Sequence, residues 1–142
     1  MKNMMTHLTI VAAALAAAAG SAAAQTYKAT IPVAFRAGGT AMAAGTYEFR
    51  VDHSTGIARV QIRNTATEES ILLVPSPGSD APKAWLKAGA PMVSLACGRT
   101  CSLNQLWTAR QVTTIRFPAP KLPKAEVDRA ANEVSFALVK TN

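Results

Sequence analysis

Cys97 and Cys101 are the only cysteines in the chain, and they are set three residues apart in the run Cys97-Gly98-Arg99-Thr100-Cys101. Two chemistries are open to such a pair. In the first, one thiolate attacks a substrate disulfide and the second releases it. That requires a cysteine acidified by a helix N-terminus or a nearby cation. Arg99 is the only local cation, and the flanking residues read as strands. In the second, the cysteines are bonded to each other as a structural clamp. Residues 92–97 and 101–108 are apolar segments around a three-residue, glycine-containing connection, which predicts a hairpin. Strict alternation would set Val93, Leu95 and Cys97 opposite Gln105, Leu103 and Cys101. A disulfide would then close the hairpin at its tip, and an even cysteine count in an exported chain favours it.

No other group of side chains assembles into a reactive set. His53 adjoins Asp52 at an expected turn, but neighbours in extended chain point to opposite faces. Glu68 and Glu69 are adjacent and do not face each other across a cleft, as glycoside chemistry requires. No metal-ligand spacing or glycine-rich phosphate loop is present, so neither a metal nor a cofactor is expected. Tyr27 and Tyr47 read as core. Arg110, Arg116, Lys121 and Lys124 follow one another with few intervening acids. With Arg99, Trp85 and Trp107 they make a candidate binding surface for an anionic envelope polysaccharide, lipid headgroups or another exported protein. Nucleic acid does not suit so little interleaving of aromatic and basic residues.

Residues 1–24 read as a cleaved signal peptide: Lys2, then an apolar run from Leu8, then Ala22-Ala23-Ala24 before Gln25. The apolar run is too short to span a bilayer, and nothing after it is long enough. Residues 25–142 would then form one domain with a net charge of +6, periplasmic or secreted.

Alternation dominates that domain. Residues 26–35 form an expected strand, with Pro32 confined to an edge or to a position lacking a ladder bond. Residues 46–52 and 57–63 alternate clearly and pair as a hairpin. Residues 70–74 are a continuous apolar run of the kind found in a strand covered on both faces. Residues 75–82 read as a loop, 83–88 and 112–117 as short strands, 123–132 as a helix opened by Pro123, and 133–140 as a last strand. The pattern predicts an all-β, single-domain antiparallel sandwich or flattened barrel with one short C-terminal helix.

The order IPVAF at residues 31–35, AGTYEFRV at 44–51, SLNQLWTA at 102–109 and LPKAEVDRA at 122–130 resembles a family of small exported bacterial β-rich proteins. Its members carry an IPF-x-F strand, an AG-x-Y turn, a Trp-containing strand and an LPKS-type C-terminal helix. Val33 stands where that pattern has an aromatic, and Ala125 replaces part of its polar run. The resemblance implies export and a β-rich fold, and it brings no activity, cofactor or catalytic residue. The expected function is a non-enzymatic, structural or binding role in the bacterial envelope or extracellular space. The alternative is a thiol-disulfide redox protein using Cys97 and Cys101.

Overall fold

The computed structural model describes residues 24–53, 58–118 and 132–141. Its elements are β1 (Ala24–Ile31), β2 (Phe35–Ala37), β3 (Thr40–Met42), β4 (Gly45–Asp52), β5 (Arg59–Asn64), β6 (Ser70–Leu73), β7 (Ser76–Asp80), α1 (Lys83–Ala88), β8 (Met92–Cys97), β9 (Cys101–Trp107), β10 (Thr113–Arg116), β11 (Asn132–Ala137) and β12 (Val139–Thr141). Sheet A has the order β12-β1-β4-β5-β6, and sheet B runs β11-β8-β9-β10-β7. The β2–β3 hairpin joins sheet B through a parallel contact of Phe35 and Arg36 with Cys101 and Ser102. A strand has two edges, and β8 occupies one edge of β9. β2 therefore shares the other with β10, which pairs at Gln105 and Leu106.

The two sheets are joined at both lateral corners. β6 in sheet A passes into β7 in sheet B through Val74 and Pro75, and β11 passes into β12 through Leu138. Leu138 turns the corner with its side chain in the core and its N–H donated to the carbonyl of Pro91. Counting each bent strand once, the ladder runs around the molecule and returns to β1. Of the two expected architectures, this is the flattened barrel.

Period-two alternation fills it. Tyr27, Phe49, Ile62 and Ile71 form one cross-strand row facing inward, and Val51, Val60 and Leu73 form the next. Val93, Leu95, Leu103 and Leu106 of sheet B meet them in a single apolar cluster. Fully burying side chains of this size stabilises by ~1.5–3 kcal/mol each, which fixes the register of both sheets.

Several expectations are corrected. Residues 26–35 are not one strand: the ladder stops at Ile31, before Pro32, and resumes at Phe35 in the other sheet. Residues 83–88 form helix α1, not a strand. The carbonyl of Pro82 accepts from the N–H groups of Trp85 and Leu86, and Gly89 closes the helix with φ 68° and an N–H bond to Trp85. Residues 75–82 are not merely a loop, since they contain β7. Pro77 is tolerated there because β7 pairs only with β10. The 70–74 run is not covered on both faces: Leu72 and Val74 are 61% and 59% exposed. Residues 123–131 of the expected helix lie outside the described residues, and Asn132 begins β11. The expected signal, residues 1–23 with the side chain of Ala24, also lies outside them, as do residues 54–57.

The disulfide hairpin forms with the expected three-residue loop and with Cys97 opposite Cys101. Its alternation breaks between Leu95 and Ser94, whose partners are Leu103 and Gln105, leaving Asn104 as an extra residue. This bulge flips the remainder of β9. Leu106 therefore enters the core, and Trp107 moves to the outer face of sheet B, away from Leu103 and Cys101.

Candidate functional site

Cys97 and Cys101 are bonded to each other, with Cα atoms 4.0 Å apart, and both pack against the core cluster. No described cysteine is free. Arg99 is exposed in the loop they close. The bond joins two strands that are already paired, at the tip of their hairpin.

The residues of the expected binding surface do not converge. Arg99 precedes β9 and Arg110 follows it, so a seven-residue strand, roughly 20 Å long, separates them. Arg116 lies at the end of β10, while Lys121 and Lys124 fall outside the described residues. Trp85 and Trp107 are buried, 6% and 3% exposed, with Ala81 between α1 and the outer face of sheet B. The Trp107 indole N–H donates to the carbonyl of Gln111 at 2.7 Å.

Two other surfaces were not read from the sequence. The first is the outer face of sheet A. Because Tyr27, Phe49 and Ile62 point inward, their neighbours point outward in rows. One row is Thr141, Thr26, Arg50, Gln61 and Leu72; the next is Val139, Lys28, Glu48, Arg63 and Ser70; Asp52 faces Arg59 beyond them. This places four cations, Lys28, Arg50, Arg59 and Arg63, against two carboxylates on one face of the sheet. Arg63 bonds Glu48 at 2.8 Å, and this bond, with the charge of Glu48, raises its guanidinium pKa. A shallow depression of about 300 Å³ runs among Thr26, Glu48, Arg50, Gln61 and Arg63.

The second surface is one open end of the barrel. Four strands carry an inward apolar residue followed, two positions further toward this end, by a polar one. They read Tyr27 then Gln25 in β1, Val51 then His53 after β4, Leu106 then Thr108 after β9, and Ile115 then Thr113 in β10. The result is a cleft of about 330 Å³ floored by Val51, Leu106 and Ile115 and rimmed by His53, Thr108, Arg110 and Gln111. It continues past His53 toward Pro75 and Pro77. Burial raises the pKa of the Tyr27 phenol, and the charge of Arg110 and a hydrogen bond with Thr108 oppose that rise. The phenol donates to Gln25 Oε1. Arg110 follows Ala109, which is held at φ 65°, a left-handed conformation that is uncommon outside glycine.

Outside sheet B, Glu133 accepts from Gln105 Nε2 at 2.8 Å and from Asn104 Nδ2 at 3.4 Å. Burial raises its carboxyl pKa, but these bonds, the buried Ser94 hydroxyl and the charge of Arg116 outweigh burial, and the net shift is downward. Ser94 Oγ is itself enclosed without a hydrogen-bond partner, so its influence on the carboxylate is electrostatic. Among the described residues no three His, Cys, Asp or Glu side chains are grouped to hold a metal, and no helix is long and apolar enough to cross a membrane. No family model, curated protein or solved structure matches the chain.

Proposed function

We propose that this chain is an exported, non-enzymatic binding protein that holds an acidic polysaccharide of the bacterial envelope against the outer face of sheet A. One observation carries this reading: the cross-strand register collects Lys28, Arg50, Arg59 and Arg63 on one outer face, interspersed with Thr26, Gln61 and Thr141 and with the carboxylates of Glu48 and Asp52. In this register Arg50 is the diagonal neighbour of Lys28, Arg59 and Arg63, at roughly 8 Å on a pleated face, so an extended polyanion can meet several cations at once. The threonine hydroxyls, the Gln61 amide and the Glu48 carboxylate add donors and acceptors for sugar hydroxyls. A polysaccharide suits this face better than a membrane, because the large apolar side chains Leu72 and Val139 lie at its two margins and not at a protruding tip. The leader-like start of the sequence, the bonded cysteines and the resemblance to small exported proteins support the envelope location.

The test uses polygalacturonate as the probe, with neutral dextran and anionic vesicles alongside. The wild type is expected to bind polygalacturonate at low salt, with affinity falling as salt rises. A Lys28→Gln/Arg50→Gln/Arg59→Gln variant is expected to lose at least tenfold in affinity. Equal binding to dextran, preferential binding to vesicles, or an unaffected triple variant would reject the reading.

A further inference from the structure

We infer that the cleft at the open end of the barrel is a separate site for a small carboxylate with an apolar body. Four strands independently place a polar residue just beyond an inward apolar one. Gln25 pairs with Val51, and His53, Thr108 and Thr113 lie beyond Val51, Leu106 and Ile115, so hydrogen-bonding groups replace hydrocarbon over two successive rows at this end. Among the described residues lining this end there is no carboxylate, while Arg110 supplies a guanidinium and Thr108 and His53 supply further polar contacts. An anion is therefore met by a cation and donors, with the exposed Asp80 carboxylate outside the lining, opposite Thr113 in the ladder. The partly exposed Ile115, backed by the buried Val51 and Leu106, takes the rest of such a ligand.

The backbone that presents Arg110 is fixed in advance. The Trp107 indole anchors the carbonyl of Gln111, Ala81 N–H bonds the carbonyl of Val112 at 2.8 Å, and Ala109 is kept left-handed between them. A strained non-glycine residue persists only where its surroundings over-determine it. Here they aim a charged side chain at the mouth. The cleft volume of about 330 Å³ lies at the small end of ligand pockets, which suits a small ligand. Within the guanidinium's repertoire, a carboxylate receives a paired, planar contact, and the apolar floor disfavours a fully hydrated ion such as phosphate.

The experiment is a titration of the intact protein, followed by amide and side-chain NMR shifts, with benzoate, benzamide and inorganic phosphate as probes. Benzoate is expected to move the resonances of His53 and of residues 108–113, with benzamide and phosphate each at least tenfold weaker. Arg110→Gln is expected to weaken benzoate at least tenfold and to leave polygalacturonate binding unchanged. His53→Gln provides a second, milder loss at an exposed position. The Lys28→Gln/Arg50→Gln/Arg59→Gln variant should retain benzoate binding, which separates failure of this site from failure of the sheet A face. Benzoate binding elsewhere or not at all would overturn the inference. So would benzamide or phosphate binding as tightly, or an unaffected Arg110→Gln.

Discussion

Replacing Gly78 with alanine is expected to destabilise the barrel, although glycine-to-alanine changes at compatible positions usually stabilise by ~0.4–1 kcal/mol. Gly78 lies in β7 and does not have a left-handed φ, so its backbone accepts alanine and only space decides the outcome. A Cβ there would lie 2.3 Å from Thr114 Oγ1 and 3.0 Å from the Thr114 carbonyl oxygen. Thr114 Oγ1 cannot swing aside freely, since it bonds the carbonyl of Ser79 at 2.9 Å and lies 3.1 Å from Gln105 Oε1. β7 must therefore shift from β10, its only ladder partner. Overpacking of this kind costs ~1–3 kcal/mol. At roughly 4 °C per kcal/mol for a domain of this size, Tm should fall by roughly 4–12 °C. Urea unfolding followed by the fluorescence of Trp85 and Trp107 reads the change, because both indoles are buried on sheet B. Adding Thr114→Ala removes the nearer clash, so the double variant should be more stable than the two single losses added together. Gly78→Ala at or above wild-type stability would refute the steric argument, as would a purely additive double variant.

Two further outcomes are expected. Cys97→Ser/Cys101→Ser should lose no more than ~2 kcal/mol in the same unfolding assay, because the bond closes a loop of few residues, and should keep polygalacturonate binding. A thiol titration of the purified wild type should find no free thiol, and reductive turnover of insulin that is absent in the variant would favour redox chemistry instead. The Glu133 carboxyl, held below its ordinary value, contributes stability that is fully present above its unfolded pKa of ~4.3 and is lost as pH falls through the lower folded value. Melting curves between about pH 6 and pH 3 should show a shallower acid loss in Glu133→Gln than in the wild type.

The strands with clean alternation, around Tyr27, Tyr47-Phe49-Val51 and Val60-Ile62, were legible in the sequence, and so was the cysteine hairpin. What failed was local geometry that overrides the period. Asn104 is a polar residue in an apolar strand, and nothing in its type announces a bulge. Yet that one extra residue carries Trp107 to the other side of the sheet. The helix over Lys83–Ala88 left a usable signal in Pro82 before it, the helix formers Ala84, Leu86 and Lys87 within it, and Gly89 behind it. β7 left none, because Ser76-Pro77-Gly78-Ser79-Asp80 is turn composition, and only the close approach of Thr114 makes it a strand. Of the barrel-end cleft, Arg110 was visible as a charge. Its partners lie at the ends of four strands, and only the closed ladder brings them together. The cations of sheet A are the outward half of the alternation that locates the core, and become a surface only once the register is known.

Closure through bent strands also governs the order of assembly. β12 lies on β1, so the first and last strands of the described residues are neighbours, and β11 covers the edge of β8. Until residues 132–141 have been made, the nascent barrel is an open ribbon. Its bare edges on β1 and β8 are templates for pairing with another chain. Loop closure over nearly the whole domain comes last, so folding is set by a long-range contact and is correspondingly slow. A product cut short before Asn132 would lose little of its apolar core but both of its seals, and would emerge as a sheet prone to self-association.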